Sequence, residues 1–207
     1  MNKIIPPYLL RLLTKNFLIW KIKTKEKKIF LTFDDGPTPD VTDKILDILE
    51  SYEVKAVFFC TGINVERFPE LFSKIKNAGH QTCNHTYSHL DGWKSGAKDY
   101  VSDVERAKSI INSSLFRPPH GRITPGQIFK LRKEYYIVMW SLLAGDFYEN
   151  ASKERCLNNV LKHTKRGSIV VFHDSEKSAD KCLYALPRFL EHFLERGFKF
   201  ELLRGVQ

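Results

Sequence analysis

Two adjacent carboxylates follow an apolar run near the start of the chain. Asp34 and Asp35 come directly after residues 29–33 and precede Gly36 and Pro37, a pair typical of a turn. Neighbouring carboxylates repel each other unless a cation or a proton separates their roles. An Asp-Asp-Gly-Pro sequence is also common as a plain turn, so this motif alone does not distinguish catalysis from chain reversal.

Two histidines lie four residues apart further along the chain. His85 and His89 have a spacing that lets both imidazoles bind one ion. Two imidazoles and one carboxylate leave coordination positions open, as in catalytic zinc sites. A pair of histidines that simply face solvent is the alternative interpretation.

Later segments add polar residues at comparable places. Residues 116–122 hold two prolines and then a glycine, and a backbone fixed in this way can direct amides at an oxyanion. His173 ends the apolar run 168–173, where packing explains a histidine poorly, although a hydrogen-bonded buried histidine stays an alternative. Asp146 follows the run at 136–141. These residues are further candidates for one site.

The elements that carry these residues alternate along the chain. Runs rich in β-branched and aromatic residues predict seven strands, at 29–33, 56–60, 80–83, 115–117, 136–141, 168–173 and 199–203. Helical periods lie between them, the clearest at residues 39–52. This alternation predicts an α/β fold with a mostly parallel sheet that closes toward a barrel. Because loops after the strands of such a barrel meet at one mouth, we expect the polar candidates to converge.

The composition is that of one soluble globular domain. The 207 residues are 43% hydrophobic and 28% charged. Residues 1–28 carry +7 of the net charge of +9, so the remainder lacks the spread of basic charge expected of a nucleic-acid-binding face. Four cysteines show no metal-binding spacing and are predicted to be buried free thiols, which is compatible with a reducing compartment.

A basic amphipathic arm is predicted at residues 1–28, outside a catalytic domain at 29–207. No apolar run in the arm approaches the roughly 20 residues that span a bilayer, and no signal-peptide core with a small-residue cleavage site is evident. Localisation therefore stays open between cytoplasmic and membrane-associated. Leu9, Leu13 and Trp20 belong to an apolar set that suits peripheral contact with an anionic membrane. The simpler interpretation is a helix or strap packed over one end of the domain.

Taken together, the motifs resemble the polysaccharide deacetylase family, also called the NodB-homology or carbohydrate esterase family 4 domain. The resemblance is carried by Thr-Phe-Asp-Asp-Gly-Pro at 32–37, the two-histidine motif at 85–89 and Arg-Pro-Pro at 117–119, and it extends over residues 28–203. It implies a distorted seven-stranded β/α barrel in a single domain. It also implies metal-dependent hydrolysis of acetyl groups on a glycan.

The resemblance implies a role for each matching residue. Asp34 is expected to be the general base that deprotonates the attacking water, and His173 the general acid that protonates the leaving amine. Arg117 is expected to orient the base, and Asp146 to keep the acid charged. The implied metal ligands are Asp35, His85 and His89, and the implied substrate contacts are Pro119, His120, Phe147 and Val171. Zinc is the first choice of metal, with cobalt, nickel or manganese as alternatives.

Three positions depart from the family pattern and bear on the choice of substrate. His120 replaces a tyrosine, Ser141 an aspartate and Phe147 a tryptophan. The first hypothesis is N-deacetylation of an amino-sugar polymer or oligosaccharide, such as peptidoglycan or chito-oligosaccharide, by a monomer. The alternatives are an O-acetyl esterase on acetylated polysaccharide, a related amide hydrolase, and a non-catalytic carbohydrate-binding relative.

Overall fold

The computed structural model describes residues 4–205. The outer ends of the predicted arm and domain, residues 1–3 and 206–207, lie outside the described residues. Within residues 4–205, every helix is too short or too polar to cross a bilayer.

A single parallel sheet organises the chain. Its strands are β1 (Leu18–Ile19), β2 (Lys28–Asp34), β3 (Val57–Cys60), β4 (Gln81–Asn84), β5 (Leu115–Phe116), β6 (Tyr136–Val138), β7 (Leu142–Leu143), β8 (Ile169–His173) and β9 (Lys199–Phe200). The order is β1-β6-β5-β4-β3-β2-β8-β7, with β9 paired to β2. All these pairings are parallel, and the sheet curls into a half-barrel. The predicted α/β barrel class is confirmed.

Helices connect the strands and cover the outside of the curled sheet. They are α1 (Tyr8–Thr14), α2 (Val41–Ser51), α3 (Gly62–Arg67), α4 (Pro69–Asn77), α5 (Ala97–Ile111), α6 (Pro125–Leu131), α7 (Lys153–His163) and α8 (Ala179–Glu195). On α2, Val41, Ile45 and Leu49 recur at helical spacing and are buried. Helix α6 begins with a capping box between Thr124 and Gln127, which satisfies backbone donors at its first turn.

The described residues form nine strands, whereas the sequence pattern predicts seven. The run at 136–141 divides because Ser141 leaves the line of β6 and bonds to β8 instead, its backbone N–H lying 3.0 Å from the carbonyl oxygen of Ile169. Strand β1 lies inside the predicted arm, where Leu18 and Ile19 pair with Ile137 and Val138 of β6. The boundary at residue 28 stays a prediction, although the sheet already begins at residue 18.

Alternating side chains on β2 divide the core into two layers. Ile29, Leu31 and Phe33 pack outward against the covering helices, in a cluster that includes Ile45 and Phe189. Their neighbours in sequence face the inside of the half-barrel, where Phe30 joins a second apolar cluster and Thr32 and Asp34 continue the same inner face. The strand therefore carries its carboxylate inward at its last residue. All four cysteines are buried free thiols, as predicted.

Candidate active site

The candidate residues meet at the carboxyl ends of the parallel strands. Asp34 ends β2 and His173 ends β8, and the two residues are paired in register on these neighbouring strands. His85 follows β4, Arg117 follows β5 and Asp146 lies three residues after β7. The convergence follows from topology, because parallel strands deliver their last residues to the same face of the sheet.

Three side chains are close enough to share one cation. One ligand atom each from Asp35, His85 and His89 lie within 4.8 Å of one another. Asp35 Oδ1 is 3.0 Å from His89 Nε2 and 3.6 Å from His85 Nε2. The sequence-predicted ligands therefore come together as one group of two nitrogens and one carboxylate oxygen.

Hydrogen bonds outside this group prepare its members to bind a metal. His85 Nδ1 lies 2.8 Å from the carbonyl oxygen of Arg117. A carbonyl only accepts, so Nδ1 carries the proton and Nε2 is the ring nitrogen on the side of Asp35 and His89, where a metal would bind. Burial raises the pKa of Asp35, but hydrogen bonds with His85 and His89 outweigh it and hold the pKa well below its usual range. This donor set fits a divalent metal ion such as zinc.

Arg117 is fully buried, and hydrogen bonds hold its guanidinium group in place. Its Nη1 donates to Asp34 Oδ1 at 2.6 Å and to Thr32 Oγ1 at 2.8 Å. Its Nε and Nη2 donate to the carbonyl oxygens of Val138 and Met139 at 3.2 and 3.0 Å. Because these bonds fix the guanidinium, Asp34 is held through Oδ1 by a charged partner and keeps Oδ2 for another contact.

Asp146 holds His173 at two points. Its Oδ1 lies 2.9 Å from His173 Nδ1, and its Oδ2 accepts the backbone N–H of the same residue at 2.7 Å. Burial lowers the pKa of His173, but the charge and hydrogen bond of Asp146 overcome it and raise the pKa to about 9. The imidazole is therefore protonated at neutral pH, with Nδ1 directed at Asp146.

Two of the four predicted substrate contacts, His120 and Phe147, pack against these groups. The ring of His120 packs edge-on against His89 with 4.7 Å between centroids, and the ring of Phe147 meets His173 at 4.9 Å. Pro119 is buried in the 3-10 turn Pro119–Gly121. Val171 is two residues before His173 on β8 and therefore shares its face of the strand. His120 and Phe147 thus contact a metal-ligand histidine and His173 respectively, whereas substrate contact by Pro119 and Val171 stays a prediction.

The departure at Ser141 does not leave Arg117 without partners. Ser141 bonds instead to β8, where its hydroxyl lies 3.1 Å from the carbonyl oxygen of Ile169. The guanidinium obtains its remaining acceptors from backbone carbonyls of residues 138 and 139. An aspartate at position 141 is therefore unnecessary for fixing the buried arginine.

Two further residues act on the site and were not singled out from the sequence. Asp174 accepts the backbone N–H of Gly36 at 2.9 Å and the hydroxyl of Thr42 at 2.8 Å. Burial raises the pKa of Asp174 to about 8, against the lowering effect of these bonds. Lys181 donates to the backbone carbonyls of Asp146 and Tyr148 at 3.1 and 2.9 Å. The position of Asp174 directly after His173 was the only sequence signal available.

Comparison with known proteins agrees with this geometry. The sequence profile of polysaccharide deacetylases matches residues 21–136, more than half of the chain. The chain belongs to the polysaccharide deacetylase family. A peptidoglycan-N-acetylglucosamine deacetylase of Bacillus cereus is 34% identical to this polysaccharide deacetylase over 200 residues, which cover 91% of the chain and 93% of the relative.

Two further relatives extend the comparison. A solved structure of a peptidoglycan N-acetylglucosamine deacetylase matches this polysaccharide deacetylase with a TM-score of 0.87 at 31% identity, covering 94% of each chain. A chitooligosaccharide deacetylase of a Bradyrhizobium strain is 29% identical, covering 86% of the chain and 89% of the relative. The predicted family and enzyme class are confirmed, and the family is metal-dependent.

Proposed function

We propose that this protein hydrolyses the N-acetyl groups of N-acetylglucosamine units in peptidoglycan. Support comes from relatives of nearly the same length that are named for this activity. The observation that carries the proposal is the in-register pair of Asp34 and His173, each with its own buried partner of opposite charge. Groups held in opposite ionisation states beside one another are the arrangement that acid and base catalysis requires.

Asp34 is the proposed base. Arg117 binds one carboxylate oxygen, Oδ1, and so orients the other toward the mouth without occupying it. When a water molecule attacks the acetyl carbonyl carbon, its proton passes to Asp34. Removing this transfer by a conservative substitution typically lowers a rate by a factor on the order of 10² to 10⁴.

His173 is the proposed acid. Asp146 occupies Nδ1 and keeps the ring charged, so the proton on Nε2 is the one available for transfer. As the bond between the acetyl carbon and the sugar nitrogen breaks, this proton passes to the departing amine. Acetate and the free amino sugar are then the two products, and no covalent bond to the protein forms.

Asp35, His85 and His89 are the proposed ligands of a divalent metal ion, zinc in the first instance. Such an ion, when bound, lowers the pKa of water and polarises a carbonyl. The backbone amide of His120 is proposed to donate to the oxyanion that forms on the acetyl group. Val171, Pro119 and Phe147 are proposed to enclose the acetyl group and its sugar.

The test is acetate release from peptidoglycan and from chito-oligosaccharides by the zinc-loaded protein and by Asp34→Asn. The substitution removes the base but no proposed metal ligand. We expect a loss on the order of 10² to 10⁴ in kcat with unchanged zinc content. Retention of full activity in Asp34→Asn would refute the proposed base, and a lack of acetate release by the wild type on every N-acetylated glycan would refute the substrate class.

Two finer expectations about partners stay predictions. The chain is expected to act as a monomer on its glycan, and the arm at residues 1–28 is a candidate for peripheral contact with a membrane. The first is checked by light scattering of the purified protein. The second rests on a separate set of exposed residues.

A further inference from the structure

The N-terminal segment exposes most of the large apolar side chains on the described surface. Seven of eleven such residues within 4–205 lie between positions 5 and 17. Helix α1 buries none of its residues, and Tyr8, Leu9 and Leu13 are 71%, 63% and 69% exposed. Residues 8–14 therefore do not bury their apolar side chains against the domain, whereas Leu18 and Trp20 of the same arm are buried. A contiguous apolar surface of this kind usually marks an interaction site.

The helix is nevertheless held in place by the residues that follow it. The indole N–H of Trp20 donates to the hydroxyl of Thr14 at 2.9 Å, and Trp20 itself is buried. Leu18 and Ile19 form β1, which pairs with β6. The exposed face therefore belongs to a segment anchored to the folded domain on its carboxyl side.

The apolar surface continues onto a second element. The guanidinium carbon of Arg132 lies 5.3 Å from the ring centre of Phe17 and 5.2 Å from that of Phe129, so this arginine, at the end of α6, links the segment that follows α1 to α6. Phe129 is 59% exposed, and the amine of Lys133 lies 5.7 Å from its ring centre. We call this surface the α1/α6 patch, formed by residues 5–17 with Phe129, Arg132 and Lys133.

All the charged side chains in the N-terminal part of the α1/α6 patch and just after it are positive. No aspartate or glutamate occurs between residues 4 and 25, where Arg11, Lys15, Lys21, Lys23 and Lys25 supply the charges. Exposed leucines and aromatic residues can insert among the acyl chains of a bilayer, and the basic side chains beside them can bind the phosphates of anionic lipids. This charge complementarity identifies lipid as the occupant.

We propose that the α1/α6 patch binds the surface of an anionic membrane. Phe17 precedes β1 and α6 precedes β6, so this part of the patch lies toward the amino ends of the parallel strands. The candidate active site is formed at their carboxyl ends. The opposite end of the patch, at Ile5, follows Ile4, whose carbonyl oxygen accepts the backbone N–H of Leu143 at the end of β7.

The test is co-sedimentation of the full-length chain with vesicles of phosphatidylcholine alone or with 30% phosphatidylglycerol. We expect binding to the anionic vesicles that weakens at high salt. In Leu9→Ser/Leu13→Ser, the bound-to-free ratio should fall at least tenfold, because two exposed apolar contacts are lost. Ile63→Ser, which removes an exposed apolar residue outside the patch, should bind like the wild type.

Three outcomes would overturn the proposal. The first is equal binding by the wild type and Leu9→Ser/Leu13→Ser, and the second is no binding to anionic vesicles at all. The third is a dimer in light scattering that the double variant dissociates, since a second copy would then cover the patch. Binding is measured without substrate, so this result is independent of the deacetylase assay, and activity on a soluble oligosaccharide should be the same in both proteins.

Discussion

Asp146 controls the ionisation of His173 through one charge and two hydrogen bonds. The pKa of His173 in the folded protein, about 9, lies above its ordinary value of 6.5. The stability gained from the pair is therefore fully present below pH 6.5 and is lost as the pH rises through about 9. The same titration should produce an alkaline limb in the rate of deacetylation, because the acid must be protonated.

Asp146→Asn should move that alkaline limb to lower pH. The substitution removes the charge that raises the pKa of His173 and leaves burial, which lowers it. We expect kcat at pH 8 to fall about 10- to 100-fold. The measurement is a pH–rate profile from pH 6 to 10 at constant zinc content. An alkaline limb at the wild-type position would contradict the assignment of His173 as the acid.

Gly36 is the residue through which Asp174 constrains the metal group. A Cβ at position 36 would lie 1.9 Å from Asp174 Oδ2, and Asp35 is the adjacent residue. We expect Gly36→Ala to reduce the free energy of unfolding by about 1–3 kcal/mol. It should also weaken zinc binding at least tenfold, as measured by competition with a chelating dye.

Gly126→Ala is the matched control, since nothing lies within 4 Å of a Cβ at that position on α6. Alanine is also the better helix former, so stability should be equal or slightly higher. Wild-type zinc affinity in Gly36→Ala would show that Asp174 does not act on the ligands through residue 36.

Helix α8 holds the loop that carries Asp146 through a lysine side chain. Lys181 holds two carbonyl oxygens of this loop, at residues 146 and 148. Lys181→Met keeps the length of the side chain but cannot donate hydrogen bonds, so the loop should loosen around His173. We expect kcat to fall about tenfold with little change in KM. The alkaline limb of the pH–rate profile should also move to lower pH.

The control for this prediction is Lys177→Met, which changes an exposed lysine shortly before α8. It should match the wild type in kcat and in pH profile. If Lys181→Met lost stability but kept both the rate and the alkaline limb, the lysine would be structural only.

The ends of the strands that carry Asp34 and His173 could be predicted from the sequence. Apolar runs that finish in Asp34 and His173 predict both the strands and the side that carries the chemistry, because a buried parallel strand is apolar along its length. The two-residue strand β1 was not predicted, since Leu18 and Ile19 belong to a pattern that also suits a helix. Contacts between distant positions, such as Asp174 with Thr42, leave no local signature.

At the scale of the whole molecule, charge and chemistry occupy different regions. Residues 1–28 hold most of the excess positive charge, whereas the catalytic candidates gather where oppositely charged side chains neutralise one another in pairs. The two proposals are therefore separable by experiment. Changes in the α1/α6 patch should alter where the protein resides, and changes at the mouth should alter what it does there.

The short strand β1 also protects β6. Without Leu18 and Ile19, the backbone groups of β6 that now pair with them would be open at an edge of the sheet. Unpaired strand edges recruit other chains and promote aggregation. The family match begins at residue 21, just past β1, so a protein that started at that residue would lose this cover. Solubility would then depend on two residues that contribute nothing to the chemistry.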